Sequence, residues 1–391
     1  MTTRIGLPLF TLLGLILGAT LDYCVHQHIT APFFPVLITL LCLLYALSFN
    51  EENSLRLMYT SAIVALLLSL PLFPLDFEKL PSHSEHLFFF MCAFPTYIYV
   101  AHCFHYAYHR DNTLDANYTS LFEAVWSTVA LFVVATIFSS LLNLLILLGA
   151  TVFKSVGFSF VWDYYYGNHH VYFISNVVFF FMGLAIGQQQ INILTNLRFL
   201  LLKMMHYLLP ILAFISVMYV ILYSVSYLTG GETPVEPLVI LMPLGGLGII
   251  FFNAYFQDGM SGTVFPKHLK SFLRVYRVVL FILVLIMVYR IFQLISIETN
   301  TLIMLLSVIF FAGTYGISTC LKEAQEVECI QKGNIATGWF IVGALFICNL
   351  PYLPIDFKIN NKKSFTNFGS AFNQGKKSIT QQGQITTNSQ G

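Results

Sequence analysis

Apolar segments of about twenty residues recur along almost the whole chain, and short polar segments separate them. A helix rises about 1.5 Å per residue, so about twenty apolar residues are needed to cross roughly 30 Å of hydrocarbon. Of the 391 residues, 57% are hydrophobic and only 9% are charged. Soluble domains carry about 25% charged residues. The pattern therefore predicts an all-α, polytopic transmembrane helix bundle whose surface mostly faces lipid.

The apolar segments predict about eleven membrane spans, which together form one helical domain over residues 1–355. The first span also resembles the apolar region of a signal peptide, but no small-residue cleavage site follows it, and we favour an uncleaved helix. From residue 356 to residue 391 the composition changes to Asn, Gln, Ser, Thr, Gly and Lys, which predicts a disordered tail. The predicted spans are 5–21, 31–49, 55–75, 86–108, 121–153, 170–187, 199–228, 237–256, 271–297, 301–321 and 335–352.

The Lys and Arg residues are unevenly divided between the two sides of the predicted bundle. Eleven of the 19 fall on the side of the N-terminus, three on the opposite side and five in the tail. The positive-inside rule therefore predicts a cytoplasmic N-terminus in a bacterial inner membrane. An odd number of spans would place the basic tail outside, and one span more or fewer would move it inside. The net charge of +1 offers no basic field, so nucleic acid is not expected as a partner.

Three histidines, His102, His105 and His109, follow one another at spacings of three and four residues. On a helix these spacings place the imidazoles on one face, where they could ligate iron, copper or zinc. The histidine boxes of membrane di-iron enzymes require more histidines in such spacings than this chain provides. We therefore favour rings at the membrane boundary among tyrosines, and we expect no metal and no other cofactor.

A second group of polar residues, Asn253, Asp258, Arg274, Arg277 and Arg290, is a candidate polar or anion-binding site. Twelve apolar residues separate Arg277 from Arg290, which corresponds to roughly 18 Å of helix. Both guanidinium groups can therefore reach opposite headgroup layers, and this is the interpretation we favour. The alternative is an arginine that faces an aqueous cavity and binds an anionic headgroup or solute, with Glu298 or Asp258 as its partner.

Proline and glycine are clustered within the eighth span, and pairs of glycines four residues apart occur in the first and sixth spans. Broken helices with such residues line solute sites in secondary transporters. The same residues also allow helices to pack closely, and we favour packing. The residues are Pro243, Gly245, Gly246 and Gly248 in the cluster, and Gly14 with Gly18 and Gly183 with Gly187 in the pairs.

The segment from Phe252 to Gly259 is followed by Phe265-Pro266 and by the basic sequence that leads to Arg274. With its Asn253 and its Asp258-Gly259 turn, this segment resembles a bacterial family of multi-pass membrane proteins known as domain of unknown function 4153. The match lies mainly in residues 253–290, and the exit from the last span at residues 350–356 is also similar. The resemblance implies a helical membrane fold and carries no known activity.

Three functions are compatible with this sequence. The preferred one is a transporter-like or lipid-handling protein with a cavity near the eighth and ninth spans. The alternatives are a non-catalytic scaffold or regulator with protein partners in the bilayer, and a metal-dependent membrane enzyme at the three histidines. No Walker, GxSxG or HExxH motif is present, so we do not favour an enzyme. Membrane lipids are the expected partners, and the basic residues from Lys267 to Arg277 are expected to attract anionic headgroups.

Overall fold

The computed structural model describes residues 6–49, 53–76, 78, 89–230, 236–256, 265–294, 297–351 and 358–359. These residues form twelve α-helices and one short antiparallel pair of strands, β1 (Ile297–Glu298) and β2 (Lys358–Ile359). The helices are α1 (Gly6–His26), α2 (Phe33–Leu47), α3 (Ser54–Ser69), α4 (Phe94–Asp111), α5 (Tyr118–Ser155), α6 (Phe160–Tyr165), α7 (His169–Gln189), α8 (Ile191–Leu228), α9 (Leu238–Phe256), α10 (Lys267–Leu294), α11 (Thr299–Ser318) and α12 (Glu323–Cys348).

Every predicted span overlaps one of these helices, and the short α6 lies in the connection between the fifth and sixth spans. Within the described residues, eight helices are long and apolar enough to cross a membrane: α1, α3 with its continuation to Leu72, α5, and α7 to α11. Helix α2 is apolar but has only 15 residues, and α4 and α12 contain more polar residues. The prediction of an all-α, multi-pass membrane protein is confirmed. Of the predicted tail, only residues 358–359 are described, and they pair with β1.

Glycines bring α1, α7 and α5 into close contact. A Cβ atom added at Gly14 of α1 would lie 2.9 Å from Val178 Cα on α7. On the other side of α7, a Cβ atom added at Gly183 would lie 2.7 Å from Ala135 Cα on α5. Real Cβ atoms do not approach backbone atoms this closely, so only glycine allows the two contacts. The predicted packing role of the glycine pairs is therefore confirmed.

Helix α9 is continuous from Leu238 to Phe256 although it contains Pro243, so the broken helix considered for this span does not form. Two of its glycines face α10. A Cβ atom added at Gly248 would lie 2.6 Å from Leu280 Cδ1, and one added at Gly245 would lie 3.4 Å from Leu283 Cδ2. These contacts extend the largest cluster of buried apolar side chains, which α8, α9, α10 and α11 share.

Polar contacts join several helix termini at one end of the bundle, which we call the basic end. At the start of α3, Arg56 donates to Asn112 Oδ1, just after α4, over 2.7 Å. Near the end of α4, Arg110 pairs with Glu123 at the start of α5. The starts of α10 and α12 are joined by an ion pair between Arg277 and Glu326. At the basic end, the end of α4 therefore lies near the starts of α3, α5, α10 and α12.

Candidate functional site

A cavity of about 490 Å³ lies between α3, α4 and α12, and we call it the α3–α4–α12 groove. Its volume falls within the range of roughly 300–1,000 Å³ that is typical of small-molecule sites. Its walls are formed by the consecutive helices α3 and α4 and by α12, which is far from them in the sequence. The lining residues are Thr60, Ile63, Val64, Leu67, Leu68, Tyr97, Ala101, Phe104, His105, Tyr108, Leu114, Trp339, Val342, Gly343 and Phe346.

Polar side chains of the groove are concentrated at the basic end. Thr60, near the start of α3, lies beside His105, and Tyr108 is close to the end of α4. Further along α3 and α12, away from the basic end, the walls consist of apolar residues such as Leu67 and Phe346. The groove therefore runs along the bundle, with a polar end at the helix termini and an apolar body towards the membrane interior.

At the other end of the groove, the hydroxyl group of Tyr97 is buried and has no hydrogen-bond partner among the described residues. Tyr97 and Tyr108 lie eleven residues apart on α4, which corresponds to roughly 16 Å along the helix. A buried hydroxyl without a partner is costly, and in native proteins it usually indicates a water molecule or ligand that supplies the missing bond. Because this hydroxyl has no accessible surface, the far end of the groove presents an apolar wall.

The groove opens on the outer surface of the bundle. Among its wall residues, Ile63 is 59% exposed, Leu67 is 44% exposed and Trp339 is 51% exposed. Part of the space is due to Gly343, because a Cβ atom added there would meet no other heavy atom within 4 Å. In a membrane this surface faces lipid, so an acyl chain could enter the groove from the side.

The three histidines of α4 do not converge on a common point, so the metal-binding cluster that we considered as an alternative is not formed among them. His102 Nε2 lies 3.1 Å from Thr128 Oγ1 on α5. In the opposite direction, His105 Nε2 and His109 Nε2 lie 3.3 Å and 2.6 Å from Thr60 Oγ1 on α3. The predicted common face therefore meets two different neighbouring helices. In the described part of the chain, no group of three or more His, Cys, Asp or Glu side chains could hold a metal ion.

Arg277 of the candidate anion site is 5% exposed and has a carboxylate of the same chain as its partner. It pairs with Glu326 and also donates to Ser318 Oγ over 2.9 Å. Arg274 reaches the other oxygen of Glu326 over 3.4 Å. We had considered Glu298 or Asp258 as the partner of a cavity-facing arginine. The partner of Arg277 is Glu326 and not Glu298, and Asp258 lies outside the described residues. Because Glu326 already neutralises it, Arg277 acts as a tie between α10 and α12 and does not face an open cavity.

Arg290 lies towards the opposite end of α10 from Arg277. The favoured interpretation was wrong for Arg277, because its guanidinium is buried against Glu326 and does not extend from the bundle. The guanidinium of Arg290 donates to Glu236 Oε1 over 3.0 Å and to Gln293 Oε1 over 3.1 Å. The candidate residues that the structure describes are thus divided along the bundle, and they do not form one site.

Asn253 belongs to a network of side-chain hydrogen bonds among α5, α9 and α12. Its Oδ1 accepts from Trp126 Nε1, and its Nδ2 donates to the Tyr118 hydroxyl, each over 3.3 Å. Asn334 of α12 donates to the same hydroxyl over 3.0 Å. Tyr118 therefore accepts from two helices at once, and Asn253 has a role in helix packing.

The Tyr118→Phe variant is expected to lower the free energy of unfolding by about 1–3 kcal/mol, because the amide groups of Asn253 and Asn334 lose their shared acceptor. Unfolding in mixed micelles would measure the loss. The Tyr59→Phe variant is the control, since Tyr59 is exposed on α3. Equal stability of the two variants would show that the network contributes nothing.

Comparisons of the chain with family models, with curated proteins and with solved structures find no match.

Proposed function

We propose that this protein is a lipid-handling membrane protein that binds an amphiphilic molecule in the α3–α4–α12 groove. The observation that carries the proposal is the division of the groove into a polar end and an apolar body. A membrane lipid has the same division, with a polar headgroup at the water boundary and acyl chains in the hydrocarbon. Because the groove opens on the outer surface, the molecule would enter laterally from the bilayer.

The location of this groove differs from the one we expected. The sequence placed the cavity beside the eighth and ninth spans, which correspond to α9 and α10. The groove is lined by α3, α4 and α12 instead, and Asn253 and Arg277, which we expected in a site on α9 and α10, hold helices together. The proposal therefore keeps the predicted class of function and changes the residues.

The proposal includes a bacterial inner membrane and a cytoplasmic basic end. Support comes from the distribution of Lys and Arg in the sequence and from the clustering of Arg56, Arg110 and Arg277 at one end of the bundle. The resemblance to domain of unknown function 4153 is also part of the proposal. The alternative is a scaffold with protein partners in the bilayer. In that case, the function of the protein would not depend on what occupies the groove.

The Gly343→Leu variant tests the proposal, because the leucine side chain would extend into the groove. Overfilling a packed space costs about 1–3 kcal/mol, and 1.4 kcal/mol corresponds to a tenfold change in affinity. We therefore expect lipid retention to fall about tenfold. Native mass spectrometry of protein purified in mild detergent would count the lipids that remain bound.

The matched control is Gly246→Leu on α9, since Gly246 is exposed and a Cβ atom added there also meets no heavy atom within 4 Å. This variant has the same change in composition on a lipid-facing surface outside the groove. If Gly343→Leu and Gly246→Leu retained the same amount of lipid as the unaltered protein, the groove would not be the binding site.

A further inference from the structure

We infer that the polar end of the α3–α4–α12 groove selects an anionic phospholipid of the surrounding leaflet, with Arg56 contacting the phosphate. This inference rests on the proposed function and adds the chemistry of the headgroup. The residue that carries it, Arg56, is exposed at the start of α3 and was not among the site residues expected from the sequence.

Arg56 lies at the mouth of the groove. It precedes the wall residue Thr60 by one helical turn, and residues four apart share one face of a helix. Its guanidinium donates to the hydroxyl of the wall residue Tyr108 over 2.8 Å and lies 5.2 Å from the centre of that ring. A ligand whose chain occupies the groove would therefore present its headgroup to Arg56.

Among the described residues, the contacts of Arg56 hold its side chain in place and do not neutralise its positive charge. Its partners in the described residues are the neutral groups of Asn112 and Tyr108. These two hydrogen bonds occupy only part of the guanidinium donors. In contrast, the other arginines that the structure describes at the basic end are paired with carboxylates of the same chain: Arg110 and Arg198 with Glu123, and Arg274 and Arg277 with Glu326.

A phosphate group suits this arrangement because arginine offers paired N–H donors that match its oxygens. A basic residue near an anionic membrane surface contributes enough attraction to raise binding about fivefold. The neutral donors and acceptors beside Arg56, which include Thr60 and His109, can contact other headgroup atoms. We assign the occupant to the leaflet because the apolar walls open towards lipid.

Trp339 provides a local probe of the groove. Its ring forms part of the wall and stacks on Phe104 with the ring centres 4.2 Å apart. The protein would be placed in phosphatidylcholine vesicles with a small fraction of lipid whose acyl chains carry bromine, which quenches tryptophan fluorescence on contact. Subtracting the signal of Trp339→Phe isolates this residue from the other two tryptophans of the chain, Trp126 and Trp162.

Brominated phosphatidylglycerol is expected to quench Trp339 at about one-fifth of the concentration required for brominated phosphatidylcholine. The Arg56→Gln variant should remove this preference by raising the concentration of phosphatidylglycerol required for quenching about fivefold. The matched control is Arg198→Gln, which removes one charge from the same end of the bundle, and it should keep the preference.

Two outcomes would overturn the inference. Equal quenching by the two lipids in the unaltered protein would show that the groove has no preference for charge, and the inference would fail. The proposed function would still be supported in that case if Gly343→Leu reduced quenching by both lipids. Stronger competition by a free fatty acid than by phosphatidylglycerol would show that the occupant is a carboxylate. If Gly343→Leu changed no signal at all, the proposed function itself would fail.

Discussion

The Glu326→Gln variant is expected to lower the free energy of unfolding by about 3–5 kcal/mol, the largest effect of any substitution considered. Glu326 neutralises the buried Arg277 and also contacts Arg274. Glutamine keeps the size of the side chain and removes the charge, so a buried guanidinium would lose its counter-charge. Unfolding by sodium dodecyl sulfate in mixed micelles, followed by circular dichroism, would measure the loss.

Two further variants make this prediction specific. Glu328→Gln changes a neighbouring carboxylate of α12 that pairs with Lys332 on the surface, and it should leave the free energy of unfolding nearly unchanged. Replacing both members of the buried pair, as in Arg277→Met with Glu326→Leu, should restore much of the stability because no unpaired charge is left. A double variant less stable than Glu326→Gln alone would contradict the proposed cause.

The second large effect is expected from Gly183→Leu, which should destabilise the bundle by about 3 kcal/mol. A Cβ atom at residue 183 would already lie 2.7 Å from Ala135 Cα and 2.9 Å from Ala135 O. Since these are backbone atoms, the clash cannot be relieved by a side-chain rotation, and α5 must move away from α7. The yield of folded protein and its thermal unfolding temperature would report the change.

The control for this prediction is Gly149→Leu on α5, because a Cβ atom added at Gly149 meets no other heavy atom within 4 Å. We expect this variant to be as stable as the unaltered protein, or slightly more stable, since leucine favours a helix more than glycine does. Equal losses in Gly183→Leu and Gly149→Leu would mean that glycine is needed for a reason other than close packing.

The helices and the glycine contacts could be predicted because they depend on local patterns. A run of twenty apolar residues determines a helix in lipid whatever its neighbours are. The spacing of Gly183 and Gly187 likewise creates a flat surface on one helix, before any partner is known. The positions of Arg277 and Arg290 at opposite ends followed from the twelve apolar residues between them.

The partners of the polar residues could not be predicted, because they depend on which helices are neighbours. Glu326 is far from Arg277 in the sequence, and nothing local to either residue indicates their pairing. The three histidines do share one face of α4, but this face lies between α3 and α5. His102 therefore bonds to Thr128 of one neighbour, while His105 and His109 bond to Thr60 of the other.

The α3–α4–α12 groove could not be predicted from the sequence, because a cavity is the space that the side chains of several helices leave unfilled. Gly343 is the one residue whose identity offered a hint, because it interrupts a run of large apolar residues in α12. Its open side became evident only when α3 and α4 were placed beside it.

Helix α5 has a length that bears on the thickness of the surrounding bilayer. No charged residue occurs between Glu123 and Lys154, and 31 residues of helix correspond to roughly 46 Å. This distance is close to the 40–45 Å that separate the outer limits of the two headgroup layers. Glu123 contacts Arg110 at one limit, and Lys154 lies 4.2 Å from the ring of Trp162 at the other. A thinner bilayer would force α5 to lean or would expose its apolar ends to water, so this protein should accumulate where the membrane is of at least ordinary thickness.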